Sequence, residues 1–413
     1  MTSLPIPDSL HHLSTAVRDE GGRAYVVGGG VRDHLLGQPV KDWDVEVFGV
    51  PVDALLRRLE RLGRVNAVGK AFGVLKWRPR HERDLPEIDV SIPRRDSKTG
   101  PGHRGISVEG DPDMTLEEAV RRRDLTINAL MYDIDADRIV DPAGGLDDLK
   151  AERLRAVDRT TFLEDPLRAL RVVQFASRLG FTVDDELLEL CRVAALDELP
   201  AERIAGEWGK LLLKGRPSTG FAVARATEVL PRVFPEVAAH DADGTLDALA
   251  AHSRAEAPDE GSAWALMLAG WLAGSPEPTV PATLDRLWIH TLGGIPVRDR
   301  VVGVLEALEA PVTTDAELRW ASTRAHLWTL LHVQQARRSD DRRPALARAE
   351  AMDILSKKPR PLLQGRDLQA LGMKPGPAMG DLLRDVYAMQ LDGALTTPEE
   401  AQAEAARRLG EAS

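Results

Sequence analysis

Three carboxylates, Asp42, Asp44 and Glu46, alternate with Trp43, Val45 and Val47. In an extended strand this period puts the acids on one face and the apolar residues on the other. Like charges stacked this closely repel, so something positive must hold them. A pair of Mg²⁺ ions bound to nucleotide phosphates suits the spacing. Taken alone, the pattern is equally that of any half-exposed strand with an acidic face. Gly28, Gly29 and Gly30, just upstream, shift the balance. Glycines at the start of a short helix leave backbone N–H groups open to a triphosphate. A dinucleotide site of the G-x-G-x-x-G type fits poorly, because Asp33 occupies the third glycine position and two acids follow within a strand.

These groups need a scaffold. The patterning predicts helices over residues 8–19, 31–36, 52–62 and 115–123. It predicts strands over 24–27, 43–48, 73–78 and 87–92, and a hairpin of 129–133 with 138–140. Residues 94–114 are polar and rich in glycine, which reads as a long functional loop. After about residue 110 the chain is dominated by Ala, Leu, Arg and Glu, which favour helix. The expected fold class is α+β: a head with a small mixed sheet over 1–150, then an all-α neck (151–215), body (216–350) and tail (351–413). In the neck, 164–179 reads as one amphipathic helix, with Asp165 as its N-cap and Pro166 at its first position.

The 413 residues suffice for several domains, and the single cysteine, Cys191, excludes a disulfide framework or a cysteine-based zinc site within the chain. The first residues lack a basic start followed by an apolar run, and no apolar stretch is long enough to cross a bilayer. A cytoplasmic protein without a membrane or protein partner is the expectation. The net charge of −11 argues against a nucleic-acid partner on average, but the basic residues cluster. They gather between Lys70 and Arg104, at Arg121 to Arg123, and at Lys357, Lys358, Arg360, Arg366 and Lys374. Such patches can bind a phosphate backbone locally.

The segment Gly29-Gly30-Val31-Arg32-Asp33, with Leu35, Leu36, Gly37 and then Asp42 and Asp44, resembles the nucleotidyltransferase core of the class II CCA-adding enzyme and bacterial poly(A) polymerase family. Arg122-Arg123-Asp124-Leu125-Thr126-Ile127-Asn128-Ala129 resembles its second motif, with Leu125 where Phe is usual. Asp141-Pro142-Ala143-Gly144-Gly145 through Asp148-Leu149 resembles its head–neck connection, and 202–210 its fifth, neck-stabilising motif.

The resemblance implies addition of CMP and AMP from CTP and ATP to the tRNA 3′ end. Asp42 and Asp44 would be catalytic and hold two Mg²⁺ ions, with Asp89 as a candidate third acid. Gly29, Gly30, Arg32 and Arg123 would take the triphosphate, and Asp124 and Asn128 the ribose hydroxyls. Glu164-Asp165-Pro166-Leu167-Arg168 resembles the base-reading motif. It implies that Asp165 and Arg168 meet the incoming base, supported by Glu164 and Arg171. Read plainly, Asp165 and Arg168 are a surface ion pair three residues apart on a helix. The tail sequence Gly365-Arg366-Asp367-Leu368 through Gly376-Pro377 also resembles bacterial members, and its lysines and arginines are candidates for tRNA contact.

Partial CC- or A-adding activity, poly(A) synthesis and a catalytically silent RNA-binding protein remain as alternatives. Many relatives carry a metal-binding His-Asp body. Here the sole His-Asp doublet is His240-Asp241 and His252 stands alone, so a degenerate, metal-free body is expected.

Overall fold

The computed structural model describes residues 4–66, 74–82, 84–98, 106–237, 242–276, 279–338 and 340–411, and the backbone alone at 96–98, 106–109 and 411. Lys70, Gly73 at the start of a predicted strand, the His240-Asp241 doublet and Arg104 lie outside the described residues. Two compact units are present: Met1–Glu207 with Thr219–Val233, and Trp208–Ser218 with Phe234–Ser413.

The first unit carries strands β1 (Arg23–Val27), β2 (Asp44–Phe48), β3 (Gly63–Asn66), β4 (Val74–Pro79), β5 (Ile88–Ser91), β6 (Arg94–Lys98), β7 (Ile106–Gly110), β8 (Met131–Asp133) and β9 (Arg138–Val140). Seven of them form its main sheet, in the order β3-β4-β5-β2-β1-β8-β9. Only the β2–β5 pair in that sheet is parallel; it sets Asp44 opposite Asp89 and Glu46 opposite Ser91. On the other side of β2, antiparallel β1 sets Tyr25 opposite Glu46. Both β1 and β2 begin with one exposed polar residue and continue with four buried ones. β2 therefore lies mid-sheet and departs from the expected alternation. Asp44 is exposed, but Glu46 is wholly buried.

Around the sheet stand α1 (Asp8–Arg18), α2 (Gly29–Leu35), α3 (Val52–Leu62) and α4 (Leu116–Arg121). Thr115 and Glu118 form a reciprocal capping box that starts α4. Apolar residues of β1, β2, α4 and β8 (Tyr25, Val27, Phe48, Val120 and Met131) share one cluster. Within it, Tyr25 meets Phe48 edge-on at 5.5 Å.

The predicted loop at 94–114 is largely a hairpin. β6 pairs antiparallel with β7, Arg94 opposite Gly110 and Lys98 opposite Ile106. The expectation also lacked β3. Both β3 and β6 carry polar sequences whose backbone ladders form without a hydrophobic alternation to announce them.

The predicted neck helix starts three residues late, because Glu164 ends a helix that precedes it. α5 (Gly145–Lys150) closes the head–neck connection. α6 (Arg159–Glu164) then ends before α7 (Leu167–Leu179), with Asp165 extended at the break. α7 buries nine of its residues, from Leu167 to Ser177.

The second unit is helical. Helix Glu260–Leu272 is buried from Gly261 to Leu272, consistent with its nearly all-apolar sequence. Trp208, Phe234 and Trp271 stack together at centroid separations of 4.6, 5.5 and 5.1 Å. In the tail, Leu363, Leu368, Met379, Leu382, Val386, Leu395, Ala401 and Ala405 form a core cluster. The helix Gly365–Ala370 and the longer Pro377–Asp392 flank residues 371–376. No described helix is long and apolar enough to cross a membrane.

Candidate active site

The glycine turn and the acidic strand meet directly. Gly28 has φ +72°, a left-handed conformation open to glycine, and α2 follows from it. A Cβ at Gly28 would lie 3.2 Å from Nη1 of Arg123, and one at Gly30 would lie 3.3 Å from the carbonyl oxygen of Asp42. The backbone N–H groups of the first turn of α2, including Gly29 and Gly30, have no intrahelical acceptor. The turn thus abuts the Arg123 guanidinium at Gly28 and the backbone of Asp42 at Gly30.

Asp42 and Asp44 are exposed. Neither carboxylate has a hydrogen-bond or ion-pair partner among the described residues. Asp44 is held above the usual aspartate range, first by loss of surrounding water and then by the charge of Asp89, with Asp42 adding and Arg123 opposing. Asp89 faces solvent in part and pairs with Lys76 at 3.0 Å. Carboxylates that repel one another and lack a cation are a donor set that fits a hard divalent ion.

Glu46 does different work. It is fully buried and accepts from Arg122 and, at 3.2 Å, from Nη2 of Arg123. Burial raises its proton affinity, but Arg123 and then Arg122 outweigh that and hold it below the ordinary glutamate value. Glu46 thus orients the two arginines instead of joining the exposed acids.

Behind the glycine turn runs a buried polar chain. Arg32, 3 % exposed, donates from Nε to Asp33 Oδ1 at 2.8 Å and from Nη1 to Asn128 Oδ1 at 2.5 Å. Asn128 Nδ2 donates to Asp124 Oδ1 at 3.0 Å, and Arg171 Nε donates to Asp124 Oδ2 at 2.6 Å. Burial pushes Asp124 upward, yet Arg171, Asn128 and the Leu125 N–H together hold it low and ionised. Phe175 lies under three guanidinium groups, those of Arg32, Arg171 and Arg178, at 5.1, 5.3 and 5.6 Å. Burial, then the charge of Arg32, lowers the Arg178 pKa.

Asp165 and Arg168 do not form the ion pair that a helical spacing implies, because Asp165 lies in the extended break before α7. Asp165 Oδ1 accepts from the Leu167 N–H at 3.1 Å, and Oδ2 accepts from Arg203 Nη2 at 2.9 Å. Arg168 forks its two terminal nitrogens onto the carbonyl oxygens of Thr161 and Arg122, and burial lowers its pKa. Both side chains are partly exposed, and Glu164 is exposed.

Asp148, fully buried, gathers Thr126 Oγ1 at 2.7 Å and Arg153 Nε and Arg155 Nε at 2.8 Å each. Asp148 thus ties the Asp-Pro-Ala-Gly-Gly connection to Thr126 and to the arginines that follow it.

The residues that sequence reading missed are Glu46 as a clamp, Arg122, Arg203, Phe175 and Arg178. A signal existed for two of them: Arg168, Arg171, Phe175 and Arg178 recur at helical spacing along one stripe of α7. In the tail, Lys357, Lys358, Arg360, Arg366 and Lys374 are all exposed or half-exposed.

The first unit thus sets an acidic strand of its sheet beside a glycine turn, with helices following. Residues 24–155 match the poly A polymerase head domain, and residues 180–241 match the probable RNA- and SrmB-binding site of polymerase A. The Multifunctional CCA protein of Aromatoleum aromaticum is 45% identical over 220 residues, covering 52% of this chain and 51% of that protein. That of Thioalkalivibrio sulfidiphilus is 43% identical over 222 residues, again 52% and 51%. The chain thus spans about half the length of the curated relatives it matches.

Among solved structures, the Bacillus stearothermophilus CCA-adding enzyme in complex with CTP aligns with a TM-score of 0.72 at 23% identity, over 98% of this chain and 99% of that one. The Thermotoga maritima CCA-adding enzyme complexed with tRNA aligns at 0.68 and 20% identity, over 98% and 97%. Residues 24–155 and 180–241 thus resemble the head and RNA-binding segments of poly A polymerases, as the motifs implied, and the fold is shared with CCA-adding enzymes.

Proposed function

We propose that this chain is a template-independent nucleotidyltransferase that adds CMP and AMP, from CTP and ATP, to the 3′ end of tRNA. The observation that carries the reading is the meeting of unpartnered Asp42 and Asp44 with the Gly28 turn and the Arg123 guanidinium. Asp42 and Asp44 are the metal ligands, and Asp89, one strand over, bears on the same ion site. Two Mg²⁺ ions bound there would supply the charge that lowers the primer hydroxyl's pKa and balances the leaving pyrophosphate.

Gly29 and Gly30 offer N–H groups to the triphosphate, and Arg123, oriented by Glu46, neutralises its oxygens. Arg32 acts from behind. It fixes Asn128, which with Asp124 forms the floor on the ribose side. Asp165, braced by Arg203, and Arg168, braced on two carbonyls, present an acceptor and donors to the base edge, with Glu164 and Arg171 supporting. The cations Lys357, Lys358, Arg360, Arg366 and Lys374 contact the tRNA backbone. A cytoplasmic setting accompanies a tRNA substrate.

The relatives named for CCA addition, with solved neighbours bound to CTP, ATP and tRNA, support this over a poly(A) polymerase. The test is incubation with tRNA ending at the discriminator base, at C and at CC, with labelled CTP or ATP. Full addition supports the reading. Extension of the discriminator and C ends without the CC end, or of the CC end alone, makes the chain a partial enzyme, and long A tails make it a poly(A) polymerase. No incorporation overturns the catalytic reading.

A further inference from the structure

His252, expected to stand alone, has company in the second unit. His252 and Glu256 lie one turn apart near the end of helix Asp243–Glu256, and His332 comes from helix Leu327–Arg338. One ligand atom from each of the three lies within 4.8 Å of the other two. His332 Nε2 is 3.3 Å from Glu256 Oε2, and His252 Nδ1 is 3.9 Å from Glu256 Oε1. The two imidazole rings meet at 5.2 Å and 67°.

The hydrogen bonding of His332 makes this more than proximity. Its Nδ1 lies 2.8 Å from the carbonyl oxygen of Trp328. A carbonyl only accepts, so Nδ1 carries the hydrogen, and in the neutral ring Nε2 presents a lone pair. That lone pair faces a carboxylate oxygen. Two acceptors at this distance call for a proton or a metal cation between them. An imidazole whose far nitrogen is tied to a carbonyl is also how proteins fix the tautomer of a metal-ligating histidine. His332 is 1 % exposed, and its ring packs on Trp328 at 4.6 Å, so its orientation is set. His252 is half-buried and Glu256 exposed, which leaves the site open at the rim.

We propose that His252, Glu256 and His332 form a binding site for a borderline divalent metal, Zn²⁺ foremost, that ties helix Asp243–Glu256 to helix Leu327–Arg338. Two imidazoles and one carboxylate suit Zn²⁺, whereas Mg²⁺ prefers oxygen donors. Around a tetrahedral Zn²⁺ the donor atoms lie about 3.3 Å apart, so the present set closes by rotation of the rim side chains, with His332 as anchor and water in the fourth position. This site is separate in residues and donor type from the acids of the head. It departs from the metal-free body that the sequence suggested.

The test uses untagged full-length protein stripped with a chelator and titrated with Co²⁺ as a visible reporter, then with Zn²⁺ in excess Mg²⁺. The expected result is one tetrahedral-type Co²⁺ spectrum per chain, displaced by Zn²⁺ and not by Mg²⁺, with a higher Tm in Zn²⁺. His252→Ala and Glu256→Gln, both at the rim, should each lose the spectrum and weaken Zn²⁺ binding roughly tenfold or more. Asp44→Asn should keep both. Absence of the spectrum in the unaltered protein, or unchanged Zn²⁺ affinity in the two rim variants, overturns the proposal and leaves a proton shared between His332 and Glu256.

Discussion

Nη2 of Arg123 donates to Glu46 Oε2 at 3.2 Å, while Nη1 of the same guanidinium lies against the Gly28 turn. A buried carboxylate on the strand of the exposed acids therefore aims the cation nearest the glycine turn. Glu46 shares a strand face with Asp44, but its depth gives it a different task. It positions a phosphate-neutralising group instead of binding an ion.

Replacing Glu46 with Gln strands Arg122 and Arg123 with a neutral partner. Breaking a largely buried pair costs about 2–4 kcal/mol, measurable by denaturant unfolding. Apparent affinity for CTP and ATP should fall with it. The pH dependence follows from the lowered Glu46 pKa. The stability it contributes is present above the ordinary glutamate value and is lost as pH falls through the lower, folded one. The Gln variant should lack that part of the acid limb. Equal acid limbs in the two proteins would refute the clamp.

Asp44 titrates with the opposite sign. Its pKa is raised, so the folded protein holds the proton more tightly than the unfolded chain does. Stability falls as pH rises from the ordinary aspartate value through the raised one, and the penalty persists above it. Asp44→Asn should therefore abolish nucleotide incorporation yet raise the Tm of the metal-free protein at neutral pH, by roughly 1–3 °C because the carboxylate is exposed. Mg²⁺ should stabilise the unaltered protein and leave the variant unmoved. Wild-type-like incorporation by Asp44→Asn would remove it from the metal site.

Base choice should depend on the braces of Asp165 and Arg168 as well as on those residues. Lysine has no fork to span the carbonyls of Thr161 and Arg122, so Arg168→Lys releases that fixed geometry. Arg203→Ala likewise frees Asp165 Oδ2. Both variants should raise UTP and GTP incorporation relative to CTP and ATP, read in single-nucleotide assays. An equal fall for all four nucleotides would mark the pair as structural.

The sequence disclosed the site better than it disclosed the side-chain pairings. Alternation of Asp42, Asp44 and Glu46, the glycine run and the Arg-Arg-Asp motif placed the right segments side by side, because each is local in the chain. What it missed depends on depth or distance. Burial separates Glu46 from Asp44 only once β1 and β5 flank β2. The break at Asp165 turns a helical ion pair into a contact with Arg203, 38 residues on. Among the elements, helix Val52–Leu62 was legible to the residue from its apolar period, whereas the β6–β7 hairpin, polar throughout β6, was not.

The tail offers a charge test that spares its packing. Truncation at residue 357 would remove the cluster of Leu363, Leu368, Val386 and Ala401, so any fall in tRNA binding could reflect unfolding of the unit. Lys358, Arg360, Arg366 and Lys374 are at least half-exposed and lie outside that cluster. Replacing these four by Glu should leave the Tm within about 2 °C, since exposed charges contribute little to stability. If they meet tRNA phosphates, affinity should fall at every salt concentration. The slope of log affinity against log salt should flatten by about 0.9 for each phosphate that the protein no longer neutralises. CTP affinity, set by the head, should not move. Filter binding of tRNA at several salt concentrations reads all of this. An unchanged slope would move the RNA-binding surface to the arginines of the first unit and leave the tail as a packing element.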